Sequence, residues 1–304
     1  DDYVVDRVEL ARKSQRWKNS LGMQTILQGY AGMVPTNFKE YQSDVEIITQ
    51  GSWNGFARPD MIATDSETYD EYAALFYEAQ EFVYGTRNHY YAVDPFHEGG
   101  KRPSDLTDDM ISKEVLESMI EYDKDAVWVV QGWQSNPTNA LLKGMEAYRE
   151  DHVLIVDLIK YPIASATKYD NTSYGSTTLD ETEFNHTPWA WTLLGNFGGN
   201  PTFNAQLEVM VNDILKAQAN TQYMSGLGII SEATNDNPMV YALIFDLAWA
   251  DEDFNLNQWM KDYFISRYGS VTENVLEAWG LIKDTAYDHG VRFTAEVYGT
   301  KNSV

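Results

Sequence analysis

Residues 126–137 read AVWVVQGWQSNP, an unbroken apolar run that turns abruptly into glutamine, tryptophan and asparagine. A strand buried on both faces reads as a continuous apolar run, and such strands belong to parallel sheets covered by helices. The same form recurs along the chain. Gln24 to Tyr30, Tyr90 to Val93, Val153 to Val156, Trp189 to Leu194 and Ser225 to Ile230 read as strands, and Val45 to Thr49 as a short one leading to Gly51-Ser52-Trp53. Helical patterns lie between them: Val5 to Trp17, Tyr69 to Tyr84, a helix that Ser104 or Asp105 is expected to cap, a stretch through Tyr148, and about Asn204 to Ala219. Asp170 to Thr187 is polar, rich in Ser and Thr, and expected to be a long loop.

Alternating strands and amphipathic helices make this an α/β chain, either a doubly wound sheet or a (β/α)8 TIM-type barrel. No glycine-rich nucleotide fingerprint follows a strand, and Gly195 to Asn200 has the wrong spacing for one. Polar and aromatic residues follow nearly every strand, at Trp53, Glu98, Trp133, Asn196 and Glu232. A barrel gathers all such positions at one catalytic face, so the barrel is the expected fold, with about six good strands. From Asn237 onward the pattern is helical throughout. Residues 1–249 are therefore assigned to a partial catalytic barrel, and 250–304 to the beginning of a C-terminal all-α domain.

Charge narrows the partners. Against 22 Lys and Arg stand 46 acidic residues, a net charge of −24 that repels phosphate backbones and anionic lipid. Nucleic acid is not an expected partner, nor is a strongly anionic substrate. No stretch of about 18 apolar residues offers a membrane span. Cysteine is absent, which removes disulfides, thiolate metal sites and a cysteine nucleophile together. No charged n-region precedes an apolar h-region, and the chain opens inside a helical pattern, which reads as a fragment or a processed product. The 9 Trp and 20 Tyr supply flat faces that stack on sugar rings, although most such residues serve core or rim. Gln131-Gly132-Trp133-Gln134 is less typical of a plain core.

Glycoside hydrolysis needs one carboxylic acid to protonate the leaving oxygen and a second carboxylate to attack or to activate water. A single Glu among so many proves nothing, but two have context. Glu98 sits at a strand end within Asp94-Pro95-Phe96-His97-Glu98-Gly99-Gly100, flanked by aromatics and by glycines that permit close backbone approach. Glu232 directly follows the apolar strand ending at Ile230 and precedes Asn235 and Asn237. His97 invites a metal reading, but His89, His152, His186 and His289 show no ligand spacing, so no metal and no cofactor is expected. No Gly-x-Ser-x-Gly elbow supports a serine triad. Asp94 is read as structural, turning the loop or orienting His97, and Lys101 and Arg102 as solvated.

These segments carry a resemblance. PFHEGG at 95–100, QGWQSNP at 131–137, LLGNFGGN at 193–200 and NPMVYALIFDLAW at 237–249 resemble the α-N-acetylglucosaminidases, glycoside hydrolase family 89. Leu21-Gly22-Met23 through Ala31-Gly32-Met33-Val34-Pro35, and Gly51-Ser52-Trp53, fit the same family in the same order. The resemblance implies an exo-acting enzyme that removes terminal α-linked N-acetylglucosamine from glycans with retention of configuration. It implies Glu98 as general acid/base and Glu232 as nucleophile, with Trp53, His97, Trp133 and Asn196 lining the sugar pocket. It also implies an extracellular or secreted protein, lysosomal in a eukaryote, and a chain truncated at both ends, the first barrel strands being absent. Two departures stand out. Ser231-Glu232-Ala233 replaces the family's more usual Pro-Glu-Gly, and Leu158-Ile159-Lys160-Tyr161 stands where Phe and an acidic residue are common. A catalytically silent sugar-binding relative is the alternative from another class, and a glycosidase of different specificity on the same barrel is a third.

Overall fold

The computed structural model describes residues 2–96, 99–133, 136–158, 183–195, 207–231 and 237–287. Helix α1 (Asp2–Ser20) comes first, then β1 (Ile26–Gln28), β2 (Met33–Val34), β3 (Ile47–Ile48), β4 (Ser52–Trp53), β5 (Phe56–Ala57) and β6 (Asp60–Ile62). Helix α2 (Glu67–Tyr84), β7 (Tyr90–Ala92), α3 (Asp108–Tyr122), β8 (Val127–Gly132), α4 (Asn139–Gly144), α5 (Arg149–His152) and β9 (Val153–Asp157) follow. The remainder is α6 (Glu183–His186), β10 (Trp189–Gly195), α7 (Leu207–Asn220), β11 (Met224–Ser231), α8 (Pro238–Leu247), α9 (Leu256–Tyr268) and α10 (Glu273–Thr285). Six strands form one sheet in the order β1-β7-β8-β9-β10-β11, which is also their order along the chain. β1 with β7, β7 with β8, and β10 with β11 run parallel. That succession is the signature of a partial (β/α) barrel, followed here by helices.

The molecule divides into two compact units, the first containing the described residues of Asp1–Gln131, Asn136–Ile155 and Phe184–Pro188. Within it, α2 is built on its sequence spacing. Ser66 caps the helix by accepting the Tyr69 N–H, Gly85 ends it in the left-handed region at φ 72°, and Tyr69, Ala73 and Tyr77 recur every four residues on the buried face. Arg12 of α1 donates to the carbonyls of Val83 and Phe82, so a cation meets the negative end of the α2 dipole. The Tyr30 backbone just beyond β1 is satisfied by α2 on both sides: its N–H donates to the Tyr77 hydroxyl at 3.0 Å, and the Tyr69 hydroxyl donates to its carbonyl at 3.2 Å. Burial pushes both phenols well above the ordinary tyrosine range, which keeps them neutral.

Helix α3 buries Ile111, Val115 and Met119 along one stripe. Its N-cap position is Thr107, not Ser104 or Asp105, and Arg102 pairs with Asp108 in the first turn. Helix α4 ends at Gly144 rather than continuing through Tyr148. At Gly144 a Cβ would fall 2.1 Å from both the Asp109 carbonyl and the Ser112 hydroxyl, so α3 and α4 meet only because no side chain stands there. Val45 to Thr49 is not a strand of the main sheet. Ile47–Ile48 pairs antiparallel with β6, which also pairs with β2 in a separate three-stranded sheet.

The second unit contains the described residues of Gly132–Ser135, Val156–Glu183 and Trp189–Val304. β10 and β11 run in register from Ala190 opposite Gly226 to Gly195 opposite Ser231. Gly228 belongs to this approach, since a Cβ there would sit 2.9 Å from the Thr192 methyl. Helix α7 buries Leu207, Met210, Val211, Ile214 and Ala217, the 3–4 spacing of an amphipathic helix. Asn237 caps α8 and Pro238 occupies its first turn, where the missing N–H costs nothing. Among the described residues no helix is long and apolar enough to cross a membrane.

Candidate functional site

Parallel strands present their C-terminal ends on one side of a sheet, and loops leaving those ends carry catalysis in barrels. β7 leads through Val93 to Asp94. The Val93 carbonyl accepts the indole N–H of Trp128, a fully buried side chain of β8, at 3.0 Å. Asp94 accepts from the Asn136 amide at 3.1 Å, and the same amide donates to the Gln131 carbonyl at 2.8 Å. The Asn136–Pro137 peptide is cis. Asp94 is thus held by Asn136 at the start of the loop that the sequence reading assigned it to turn. Arg102 is not merely solvated: it pairs with Asp108, and its guanidinium lies 5.1 Å from the centre of the Phe96 ring. His97 and Glu98 lie outside the described residues, as do Asn196 and Glu232. Glu232 follows Ser231, the last residue of β11, and Asn196 follows Gly195, the last of β10.

Trp53 stands on a hairpin in the first unit. Asn54 and Gly55, at φ 47° and 84°, form the two-residue turn joining β4 to β5, with Trp53 opposite Phe56. This left-handed pair matches the twist of the flanking strands, and Asn-Gly is the dipeptide that adopts it most readily. Trp53 is 49% exposed and Phe56 76%, so the hairpin offers two adjacent aromatic faces to solvent. Trp133, in the second unit, directly follows β8 and is 8% exposed. Gly132 before it brings the backbone against β9: the Leu158 N–H donates to its carbonyl, and a Cβ would lie 3.0 Å from the Asp157 Cα. Asp157 itself is buried at the C-terminal end of β9, a carboxylate the sequence reading passed over.

The two tryptophans therefore predict different outcomes. Trp53→Ala is expected to leave thermal stability nearly unchanged and to raise KM for an α-N-acetylglucosaminide, because half of the ring already faces water. Trp133→Ala is expected to cost about 3–5 kcal/mol, the usual result for truncating a buried Trp. Denaturant melts beside initial rates check both, and an unaltered KM for Trp53→Ala removes that residue from the sugar site.

Among the described residues, one group of His and carboxylates gathers closely enough to share an ion: His89, Asp123 and Asp125, with ligand atoms within 4.8 Å of one another. The facing atoms of His89 and Asp123 already bond each other at 2.7 Å, and Asp123 also accepts the Asp125 N–H. This is the arrangement of a side-chain hydrogen bond at the N-terminal ends of β7 and β8, remote in sequence from the loops after the strands.

Comparisons with known proteins bear on the same residues. Residues 1–251 match the family model of the Alpha-N-acetylglucosaminidase (NAGLU) tim-barrel domain. The Alpha-N-acetylglucosaminidase of Homo sapiens is 27% identical over 284 residues, covering 88% of this chain and 36% of that protein. A family 89 glycoside hydrolase from Clostridium perfringens in complex with PUGNAc is 41% identical at a TM-score of 0.80, over 93% of this chain and 31% of the other. The Clostridium perfringens enzyme with two glutamates changed to glutamine, in complex with its substrate GlcNAc-alpha-1,4-galactose, gives 40% and 0.82, over 94% and 31%. The chain spans about a third of the length of these relatives.

Proposed function

The chain belongs to the Alpha-N-acetylglucosaminidase family, and from that membership we propose that it forms the catalytic barrel of a retaining exo-glycosidase cleaving terminal α-linked N-acetylglucosamine from glycans. The observation that carries this is the family match across residues 1–251, which spans both candidate glutamates. Residues 1–249 supply the barrel and 250–304 begin a helical domain. In the first step Glu98 protonates the glycosidic oxygen while Glu232 attacks the anomeric carbon, forming a β-linked glycosyl-enzyme as the leaving alcohol departs. In the second, Glu98 takes a proton from water, which displaces Glu232 and gives the α-configured sugar. Direct attack requires the two carboxyl groups about 5–5.5 Å apart, whereas inversion would need roughly 6.5–9.5 Å.

Two considerations support the reading. A relative carrying two Glu-to-Gln changes holds intact substrate, as expected where two glutamates do the chemistry. That substrate is a neutral disaccharide. A net charge of −24 likewise favours a neutral glycan over an anionic glycosaminoglycan. An extracellular site of action fits a glycan substrate. The test is hydrolysis of a chromogenic α-N-acetylglucosaminide, with the first-formed sugar followed by proton NMR. An α-anomer appearing before mutarotation is expected. A β-anomer would exclude the double displacement, and no hydrolysis with retained binding would favour the silent sugar-binding relative.

A further inference from the structure

The loop between β7 and α3 carries Glu98, and its described flanks are both tied to neighbouring loops. On the downstream side the tie is Gln50, from the segment between β3 and β4, a polar side chain only 6% exposed. Its amide engages the Lys101 backbone in both senses. Nε2 donates to the Lys101 carbonyl at 2.9 Å, and Oε1 accepts the Lys101 N–H at 2.7 Å. A longer contact of 3.5 Å runs from Nε2 to the Ile48 carbonyl. Gly100 lets the loop close on this clamp, since a Cβ there would stand 3.2 Å from the Gln50 oxygen and 3.0 Å from the Phe96 Cα. On the upstream side Asp94 is held by Asn136.

We infer that Gln50 is a positioning residue for the general acid: its amide fixes the downstream anchor of the loop and so sets where the Glu98 carboxyl meets the leaving oxygen. The inference rests on the reading of Glu98 as acid/base. The primary amide satisfies both backbone groups of Lys101 at once, as donor and as acceptor, whatever the pH. An ionised glutamate of the same shape keeps the acceptor for the N–H but sets a second oxygen against the carbonyl, which repels it. A residue that merely holds the fold would scale every substrate's rate alike, through the fraction of folded protein. A residue that aims the acid matters only where departure of the leaving group needs a proton.

The experiment compares kcat/KM of Gln50→Glu in the full chain on two substrates, an alkyl α-N-acetylglucosaminide, whose leaving group needs protonation, and a dinitrophenyl one, whose leaving group does not. The alkyl substrate is expected to lose roughly 10–100-fold, the cost of misplacing a catalytic group by about an ångström, while the dinitrophenyl substrate changes little. The ratio of the two rates does not depend on how much protein is folded. Should Gln50→Glu yield no folded protein, Gln50→Asn, which keeps the amide on a shorter arm, must show the same selectivity at smaller size. Parallel losses on both substrates, or none on either, overturn the proposal. Glu98→Ala is the control. If it is selective and the Gln50 variants are not, Gln50 does not aim the acid, although the acid itself stands. If Glu98→Ala lacks selectivity, the assignment of Glu98 fails and the role of Gln50 falls with it.

Discussion

Replacing Glu232 by Gln is expected to abolish turnover, by on the order of 10⁴-fold or more, while leaving the melting temperature within experimental error of the parent. The amide keeps the size of the carboxylate but cannot bond to the anomeric carbon, so the covalent route closes. Sequence position supports the choice: Glu232 follows Ser231 at the C-terminal end of β11, the last strand of the parallel sheet. A sharper outcome follows from Glu232→Ala with azide. Removing the nucleophile opens space on the β-face, and azide attacking there would give a β-glycosyl azide as the leaving alcohol takes the proton of Glu98. A variant retaining more than about a tenth of the parent rate would sink the assignment.

What the sequence disclosed follows the physics of each element. AVWVV and VLIV were legible as parallel strands because strands covered on both faces need apolar side chains at every position, and β8 and β9 are where those runs predict them. The helical character after Asn237 was legible as a pattern, and the structure resolves it into α8, α9 and α10, the first two capped by Asn237 and Asn255. The sheet to which a two-residue strand belongs was not legible. Met33–Val34 and Ile47–Ile48 are too short to show a period, and only their shared partner β6 makes them strands. Val45 to Thr49 therefore looked like a member of the main sheet when it belongs to the small one. Asn54-Gly55 was a visible hairpin signal, and weighing it would have put Trp53 on an exposed turn rather than at a barrel strand end.

The left-handed turn of α6, with four successive non-glycine residues at φ 47–60°, has no counterpart in local propensity. Its support is tertiary. The Glu183 carboxylate, at the first residue of the turn, accepts from the Gln222 and Tyr223 backbone N–H groups and from the Trp189 indole. Gln50 was equally hidden, since a lone glutamine gives no signal until its backbone partner is known. The acidic candidates lie at the opposite extreme. Glu98 and Glu232 were read from motif and strand end alone, and both lie outside the described residues, so their test belongs to chemistry.

Glu98→Ala should lower kcat/KM for an unactivated glycan by roughly 10²–10⁴-fold, the span that a positioned general acid contributes. The two half-reactions should respond differently. With an activated aryl leaving group the first step needs no acid, so a burst of phenol is expected, followed by slow turnover, because no base remains to deprotonate the incoming water. Azide, which needs no deprotonation, should then accelerate turnover. It attacks the glycosyl-enzyme from the face that water would use, displaces the Glu232 carboxylate and yields an α-glycosyl azide. The stereochemistry is the decisive reading, because the same anion gives the α-product when the acid/base is missing and the β-product when the nucleophile is missing. The α-azide from Glu98→Ala and the β-azide from Glu232→Ala would together fix both roles. The reverse pairing would exchange the two glutamates, and formation of neither azide would remove Glu98 from the reaction.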